Sequence, residues 1–471
     1  NTSPPSPVDS LNEENRHWDT MIAMKKINSS DVKKVVEKYT WASGEKYDMY
    51  RHDYSRNNLA PVSKSTTLYS AKYYVINRDF RVYICLNNGI SPENPSGKPS
   101  LDEPLFTDLE PRAAGSSGDG YVWKYLYTLT PTDILRFDST NFIPVPNDWQ
   151  GDSTNAAVRD NALTSGQLKI VTISNRGTGY GTATTYSNVD ILGDGEGAKA
   201  SVTVNADGKI QSVDISNGGS GYSFGTLDLD GAGITNSTSS TDAVTSVVIP
   251  PPGGHGSDVY EELGTRKVMI YSRLENDNAN PDFITGNEFA RIGVVKDPLV
   301  YGSTSRLTSD KASATYALKV TADQLNLIDF AEDDIITQTV GVGSTAIGRV
   351  VSWDANTGVL KYWQDSKVAT SSTVGTAPLY GYKLLRFQNT LTNGGSFNIA
   401  GGTGTVAIDT SFSGISTVLN NRTYFLGQTF DKGTANPEVK PQSGDIIYVD
   451  NRPSVLRSSN QKEDIKIVLE F

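Results

Sequence analysis

The sequence predicts a mainly β fold with a few short N-terminal helices: a discontinuous, β-sandwich-like core carrying two small inserted β domains. Three observations carry that expectation. At the end of the chain Ile465, Ile467, Leu469 and Phe471 alternate with Asp464, Lys466 and Glu470, the period of a half-buried strand. After residue 40 helix-period runs are scarce, and short β-rich runs bounded by turn residues replace them. Two stretches, 149–252 and 301–440, shift toward Gly, Ser, Thr, Asn and Asp, as inserted segments of independent composition do.

Taken in order, residues 1–10 hold three prolines and little that could pack, and read as an arm. The first core segment is 11–148. Leu11 to Ile27 has helical character, with Trp18, Met21, Ile22 and Lys25 at offsets of three and four. Ser30 is placed to cap a second short helix with Val32, Val35 and Val36 on its inner face. An aromatic run follows: Tyr39, Trp41, Tyr47, Tyr50 and Tyr54. Lys72 to Asn87 reads as a hairpin turning at Asn77-Arg78-Asp79. Residues 92–111 form a proline-punctuated loop. Gly118-Asp119-Gly120 then leads into the strand YVWKYLY, Tyr121 to Tyr127, with aromatics on both faces. Thr130-Pro131-Thr132-Asp133 has the residues of an N-cap with Pro at the first helical position.

The segment 149–252 contains an internal repeat. KIVTISNRGTGYG from Lys169 aligns with QSVDISNGGSGYS from Gln211, an offset of 42 residues, and each copy is followed by a strand and a Gly/Asp turn, VDILGDG at Val189 and LDLDGAG at Leu227. Two copies suggest one small β domain rather than a long solenoid. The core resumes over 253–300, with strands expected at Val268–Ser272 and Phe289–Val295 and a polar loop from Asn276 to Asn287. In 301–440, strands are expected at Ile335–Thr339, Ile347–Trp353 and VLKYW, then near Leu384–Phe387, Thr405–Ile408 and Thr423–Gln428. The last segment, 441–471, offers Ile446–Val449 and the terminal strand, broken apart by Asn451-Arg452-Pro453, with Phe471 pointing inward.

Composition narrows function. The net charge is −11 with a pI near 4.9, which opposes a phosphate-backbone grip. No stretch approaches the roughly 20 apolar residues of a membrane helix, and no signal peptide opens the chain. The chain begins at Asn1 rather than Met, which suggests a fragment or a chain lacking a disordered beginning. Cys85 is the only cysteine and sits in the apolar run VYICL, the setting of a buried small hydrophobe. His17, His52 and His255 lack the spacing of a metal site. The glycines around His255 read as a backbone turn. Gly193-Asp194-Gly195-Glu196-Gly197 lacks the carboxylate spacing of a calcium loop, and Gly177 to Gly181 opens no helix. No catalytic, cofactor-binding or metal residues are therefore assigned.

Four stretches carry a resemblance: Trp18 to Tyr54; GDGYVWKYLY; GGHGSDVYEELG (253–264) with its continuation to FARIGVVKDPL (289–299); and GDIIYVDNRP with the ending SSNQKEDIKIVLEF. Together and in this order they resemble the homodimeric baseplate wedge protein of contractile-tailed, myovirus-type bacteriophages. The resemblance spans about half the chain and leaves 149–252 and 301–440 outside it. It implies a non-enzymatic virion protein of the tail baseplate, assembled in the host cytoplasm. It also implies a homodimer partnered by other wedge proteins and fibre-linking proteins, with no cofactor and no small-molecule substrate. Core aromatics are the best supply of dimer anchors, so Tyr47, Tyr50, Tyr54, Tyr121 and Tyr125 are the candidate interface residues. The alternative is a tail-associated carbohydrate-binding or polysaccharide-degrading protein, motivated by the Gly-Tyr repeats and the aromatic loops.

Overall fold

The computed structural model describes residues 17–162, 166–237, 239–275, 288–325, 328–342, 344–364, 385–389, 395–400, 404–456, 458 and 461–471. The fold is mainly β, with 43% strand and 8% helix. It divides into two compact units: one covers Ser29–Tyr271 and Lys466–Phe471, the other the chain up to Asn28 and Ser272–Ile465. The chain is thus discontinuous, but it is cut at different places from those expected. Residues 272–300 and 441–465 group with 301–440, not with 29–148. The division falls inside two strands, Lys267–Glu275 and Lys462–Glu470, which composition alone could not mark.

In the Ser29–Tyr271 unit, Tyr74–Ile76, Arg81–Asn88 and Tyr121–Thr128 form an antiparallel three-stranded sheet. The expected hairpin is present, in the register Tyr74↔Ile84, Val75↔Tyr83 and Ile76↔Val82. A four-stranded sheet has the order Lys462–Glu470, Lys267–Glu275, Val32–Glu37, Phe142–Pro144. Both sheets feed one cluster, in which Tyr73, Tyr83, Trp123 and Trp149 are 0% exposed. The helix Pro131–Phe137 starts as predicted: Thr130 Oγ1 accepts from the Asp133 backbone N–H at 3.2 Å.

Val32–Glu37 is a strand, not the second helix expected from Ser30. Its valines explain why. Val35 packs against Phe137, Met269 and Tyr271, while Val36 joins the main cluster, so adjacent residues are buried on opposite faces. A strand covered on both sides permits that and suits β-branched side chains; a helical stripe does not. The first expected helix is also shorter, since helix ends by Asp19 and Ala23–Lys25 is a strand paired with Lys311–Ser313. Residues 1–16 and the loop 276–287 lie outside the described residues. Ile465 and Ile467 are buried as predicted, but Phe471 is 82% exposed. Its strand is the edge of the four-stranded sheet, and its N–H donates to the Arg266 carbonyl at 3.0 Å, so the backbone rather than the ring ties down the terminus.

The repeat segment has its own cluster, built from Val189, Ile191, Ala198, Ala200, Val202 and Val204 among others. Four strands run in the order Ile210–Ser220, Glu196–Val204, Thr184–Gly193, Gly225–Leu227, and Ile170–Arg176 pairs separately with Ala243–Val248. That pair brings Ile170 opposite Val248, so the entry and exit of the segment lie side by side.

In the other unit a seven-stranded sheet has the order Thr405–Val406, Phe397–Ile399, Ile335–Gly341, Ser344–Asp354, Val359–Trp363, Tyr316–Lys319, Thr434–Ala435. Its core gathers Tyr316, Leu318, Phe330, Tyr362 and Phe397. The run near Leu384 is no strand over 385–387, although Phe387 is buried against Tyr362 and Phe397. Glu288–Lys296 pairs with Asp445–Leu456. The latter strand continues through Pro453, where a break was expected. The register jumps from Arg291↔Asn451 to Phe289↔Val455, so the proline sits in a bulge, where its missing N–H costs the ladder nothing.

Candidate functional site

The five tyrosines named as interface candidates, of which at least one is expected at the contact, separate by burial. Tyr47, Tyr50 and Tyr121 are 5%, 4% and 1% exposed. Tyr47 packs edge-on to Trp123 at 5.9 Å and Tyr121 stacks on Trp123 at 5.3 Å. The Tyr121 hydroxyl accepts from the Tyr47 N–H (3.0 Å) and donates to the Lys98 carbonyl (2.9 Å). A ring already covered by its own chain has no area left for a partner, so these three are core residues and not anchors. Tyr54 and Tyr125 are half-buried and keep outward surface. Tyr54 donates to the Met49 carbonyl at 2.7 Å, and the Tyr125 hydroxyl bonds Thr128 Oγ1 at 2.8 Å.

Behind this aromatic layer lies a polar network that the sequence did not announce. Gly253, Gly254 and Gly256 have φ of 80°, 88° and 94°, a left-handed path that carries His255 inward. Asp258 caps the short helix Val259–Glu262, which aims the Glu262 carboxylate back at that turn. His255 Nδ1 lies 2.6 Å from Glu262 Oε1, and Gly256 N–H donates to Oε2 at 2.7 Å. The His255 ring meets Tyr50 edge-on at 4.7 Å. The glycines therefore turn the backbone, as their sequence context suggested, and they also seat a buried histidine–carboxylate pair.

Next to this pair is Lys124, only 3% exposed. Its Nζ donates to the Leu109 carbonyl (2.7 Å) and to Asn161 Oδ1 (2.8 Å). Asn161 Nδ2 donates to Glu110 Oε1 (2.8 Å), and Glu110 Oε2 accepts from Lys169 Nζ (2.9 Å). Burial pushes the Lys124 amine down to about 8, against the pull of the Glu262 and Glu110 charges. Glu110 is held below the usual carboxylate range by its bonds from Lys169 and then Asn161, which outweigh desolvation. Lys124, Asn161, Lys169, Gly254 and His255 border a cavity with room for about one water molecule. One signal for this network was present: a lysine within YVWKYLY, a strand otherwise apolar on both faces, needs an internal partner.

Other buried groups are structural. Asp48, 0% exposed, accepts from the backbone N–H groups of Val62 (2.7 Å), Ser63 (3.2 Å) and Lys72 (3.1 Å) and so fixes the loop between them. Cys85 is fully buried, and desolvation raises its thiol far above the ordinary value. In the glycine loop considered for calcium, the Asp194 carboxylate accepts from the Ser223 N–H (2.8 Å), the Phe224 N–H (3.2 Å) and the Ser223 hydroxyl. Those donors hold it down to about 2. Among the described residues no group of three or more His, Cys, Asp or Glu is placed to hold a metal, and no helix is long and apolar enough to cross a membrane.

The two repeat copies superpose in their chemistry. Asn175 Oδ1 accepts from Gly177 N–H (2.9 Å) and Asn217 Oδ1 from Gly219 N–H (3.0 Å). Ser174 and Ser216 each donate to a neighbouring strand carbonyl, Val244 and Lys199, at a ladder irregularity. Gly179 and Gly221 (φ 82° and 79°) then tuck Tyr180 and Tyr222 inward, at 5% and 4% exposure. Both rings are buried inside the fold, so neither is exposed for stacking on a sugar. No protein-family model matches this chain, and no curated protein does.

Proposed function

We propose that this chain is a structural, non-enzymatic subunit of the baseplate wedge of a contractile phage tail, acting through protein–protein interfaces as a homodimer. One observation carries the reading beyond the motifs themselves: stretches that share the resemblance but lie far apart in sequence are packed together. Within the Ser29–Tyr271 unit, Tyr47 and Tyr50 touch Tyr121 and His255 respectively. In the other unit the stretch ending at Leu299 pairs with the GDIIYVDNRP strand, Val294 opposite Tyr448 and Ile292 opposite Asp450. Short motifs matched by chance have no reason to meet in space, whereas a shared core requires it.

Other wedge proteins and fibre-linking proteins are the partners of this reading, and the virion tail baseplate, assembled in the host cytoplasm, is its location. Neither nucleic acid, membrane, cofactor nor small substrate takes part. A two-fold, self-complementary surface is the geometry a homodimer needs, burying at least about 1,200 Å² in total. Tyr54 and Tyr125 are the members of the tyrosine set that remain available to it. Light scattering on the purified chain tests the self-association: the expected mass at micromolar concentration is twice that of the chain. A monomer at that concentration removes the homodimer from the proposal.

A further inference from the structure

Lys124, Asn161 and Glu110 form the arrangement from which an amide bond between two side chains can grow without any added reagent. The lysine is on the strand Tyr121–Thr128, and the asparagine is on the helix Ala156–Ala162. Lys124 Nζ sits 2.8 Å from Asn161 Oδ1, which brings the amine within reach of the side-chain carbonyl carbon. The amide orientation is fixed by chemistry on both sides. Lysine only donates, so it faces Oδ1; an ionised glutamate only accepts, so Glu110 faces Nδ2 at 2.8 Å. Lys124 is 3% exposed with the ring of His255 on the cavity wall, while the Glu110 side chain, 65% exposed, opens to solvent.

We propose that Lys124 and Asn161 join in an intramolecular isopeptide bond, with Glu110 as the proton carrier. In the step, the neutral Lys124 amine adds to Asn161 Cγ, forming a Cγ–Nζ bond. A proton leaves Nζ for the Glu110 carboxylate, and Glu110 returns it to Nδ2. The Cγ–Nδ2 bond then breaks and ammonia departs. One amide nitrogen replaces another, ammonia is the only product released, and nothing is oxidised or reduced. The depressed affinity of Lys124 for its proton supplies the free amine near neutral pH. Fixed proximity supplies the rest, because an amine held against an amide reacts as if at very high concentration. The adjoining cavity is of the size of the departing ammonia.

The consequence is a covalent tie between the aromatic core and the helix that leads into the repeat segment. Intact-mass spectrometry of the purified, folded full-length chain tests it. The expected result is a mass about 17 Da below that calculated from the sequence, as loss of ammonia requires, with a branched proteolytic peptide joining the Lys124 and Asn161 segments. Glu110→Gln, which keeps the hydrogen-bonding shape, is expected to restore most of the full mass. Lys124→Arg is expected to restore all of it. A cyclised asparagine also loses ammonia, so a 17 Da deficit that persists in Lys124→Arg overturns the proposal. So does an undiminished mass in wild-type protein whose circular dichroism shows it folded.

Discussion

The aromatic core and the repeat segment solve the same packing problem with different side chains. The core fills its interior with tyrosine and tryptophan and uses their polar ends as long-range staples. Tyr73 donates to the Glu262 carbonyl, Tyr74 to that of Glu37 and Tyr127 to that of Pro144. The repeat segment fills its interior with Ala198, Ala200, Val202 and Val204 at alternating positions along one strand. Among the described residues Tyr180 and Tyr222 are its only buried tyrosines. The difference teaches where specificity resides. In the core it lies in individual rings whose loss opens a large hole and orphans a distant carbonyl; in the repeat it lies in glycine turns and a strand period, spread over many small contacts.

The largest effect should therefore come from the core. Trp149 is 0% exposed, and its Nε1 donates to the carbonyls of Gly256 and Ser257. Trp149→Ala is expected to destabilise the Ser29–Tyr271 unit by about 3–5 kcal/mol, read from the denaturant midpoint. A loss below about 1 kcal/mol would erase the contrast. Next is Glu262→Ala, which strands His255 and the Gly256 N–H in the interior; about 2–3 kcal/mol is expected in the same assay. Excision of 177–242 with an Asn-Gly turn joining Arg176 to Ala243, residues that already pair, sharpens the comparison further. A single cooperative melt is expected to survive, and its disappearance would show that the core depends on the repeat.

Smaller effects probe the repeat itself. Tyr222 OH accepts from Ala198 N–H and donates to the Ile191 carbonyl, whereas Tyr180 OH is placed to accept from Ala243 N–H. Tyr222→Phe is expected to lower stability by about 1–2 kcal/mol and Tyr180→Phe by about 1 kcal/mol. Equal losses, or none, would deny the distinction. The smallest effect is electrostatic. Donors hold the Asp194 carboxyl down to about 2, so between roughly pH 4 and pH 2 the unfolded chain binds a proton that the folded chain refuses. Its contribution is present above that window and fades as the pH falls through it. The melting difference between wild type and Asp194→Asn should narrow accordingly on acidification, and a difference that widens would reverse the sign.

What was legible in the sequence was local. The hairpin around Asn77, the Thr130 cap and the paired glycine turns follow from rules acting over a few residues, and they appear where expected. Val32–Glu37 escaped because valines at offsets of three and one fit a short helix and a doubly covered strand alike; Phe137, Met269 and Tyr271, far along the chain, decide between them. Phe471 escaped for the opposite reason: its alternation holds save for Val468, yet the ring at its end is left exposed. The tyrosines of 47–54 and 121–125 were ambiguous because a ring with a hydroxyl serves a core or an interface equally well. Lys124 and Glu262 became a site only when three separate stretches met around His255.

The proposed function makes this interior part of a scaffold that works by being built into a tail. Antibody labelling of contractile-tailed particles purified from the source of the chain, viewed by electron microscopy, tests it most directly. Label confined to the baseplate at the distal end of the tail, with the chain found by mass spectrometry in the washed particles, is the result predicted. Particles free of the chain, or label on the head or along the sheath, would contradict it.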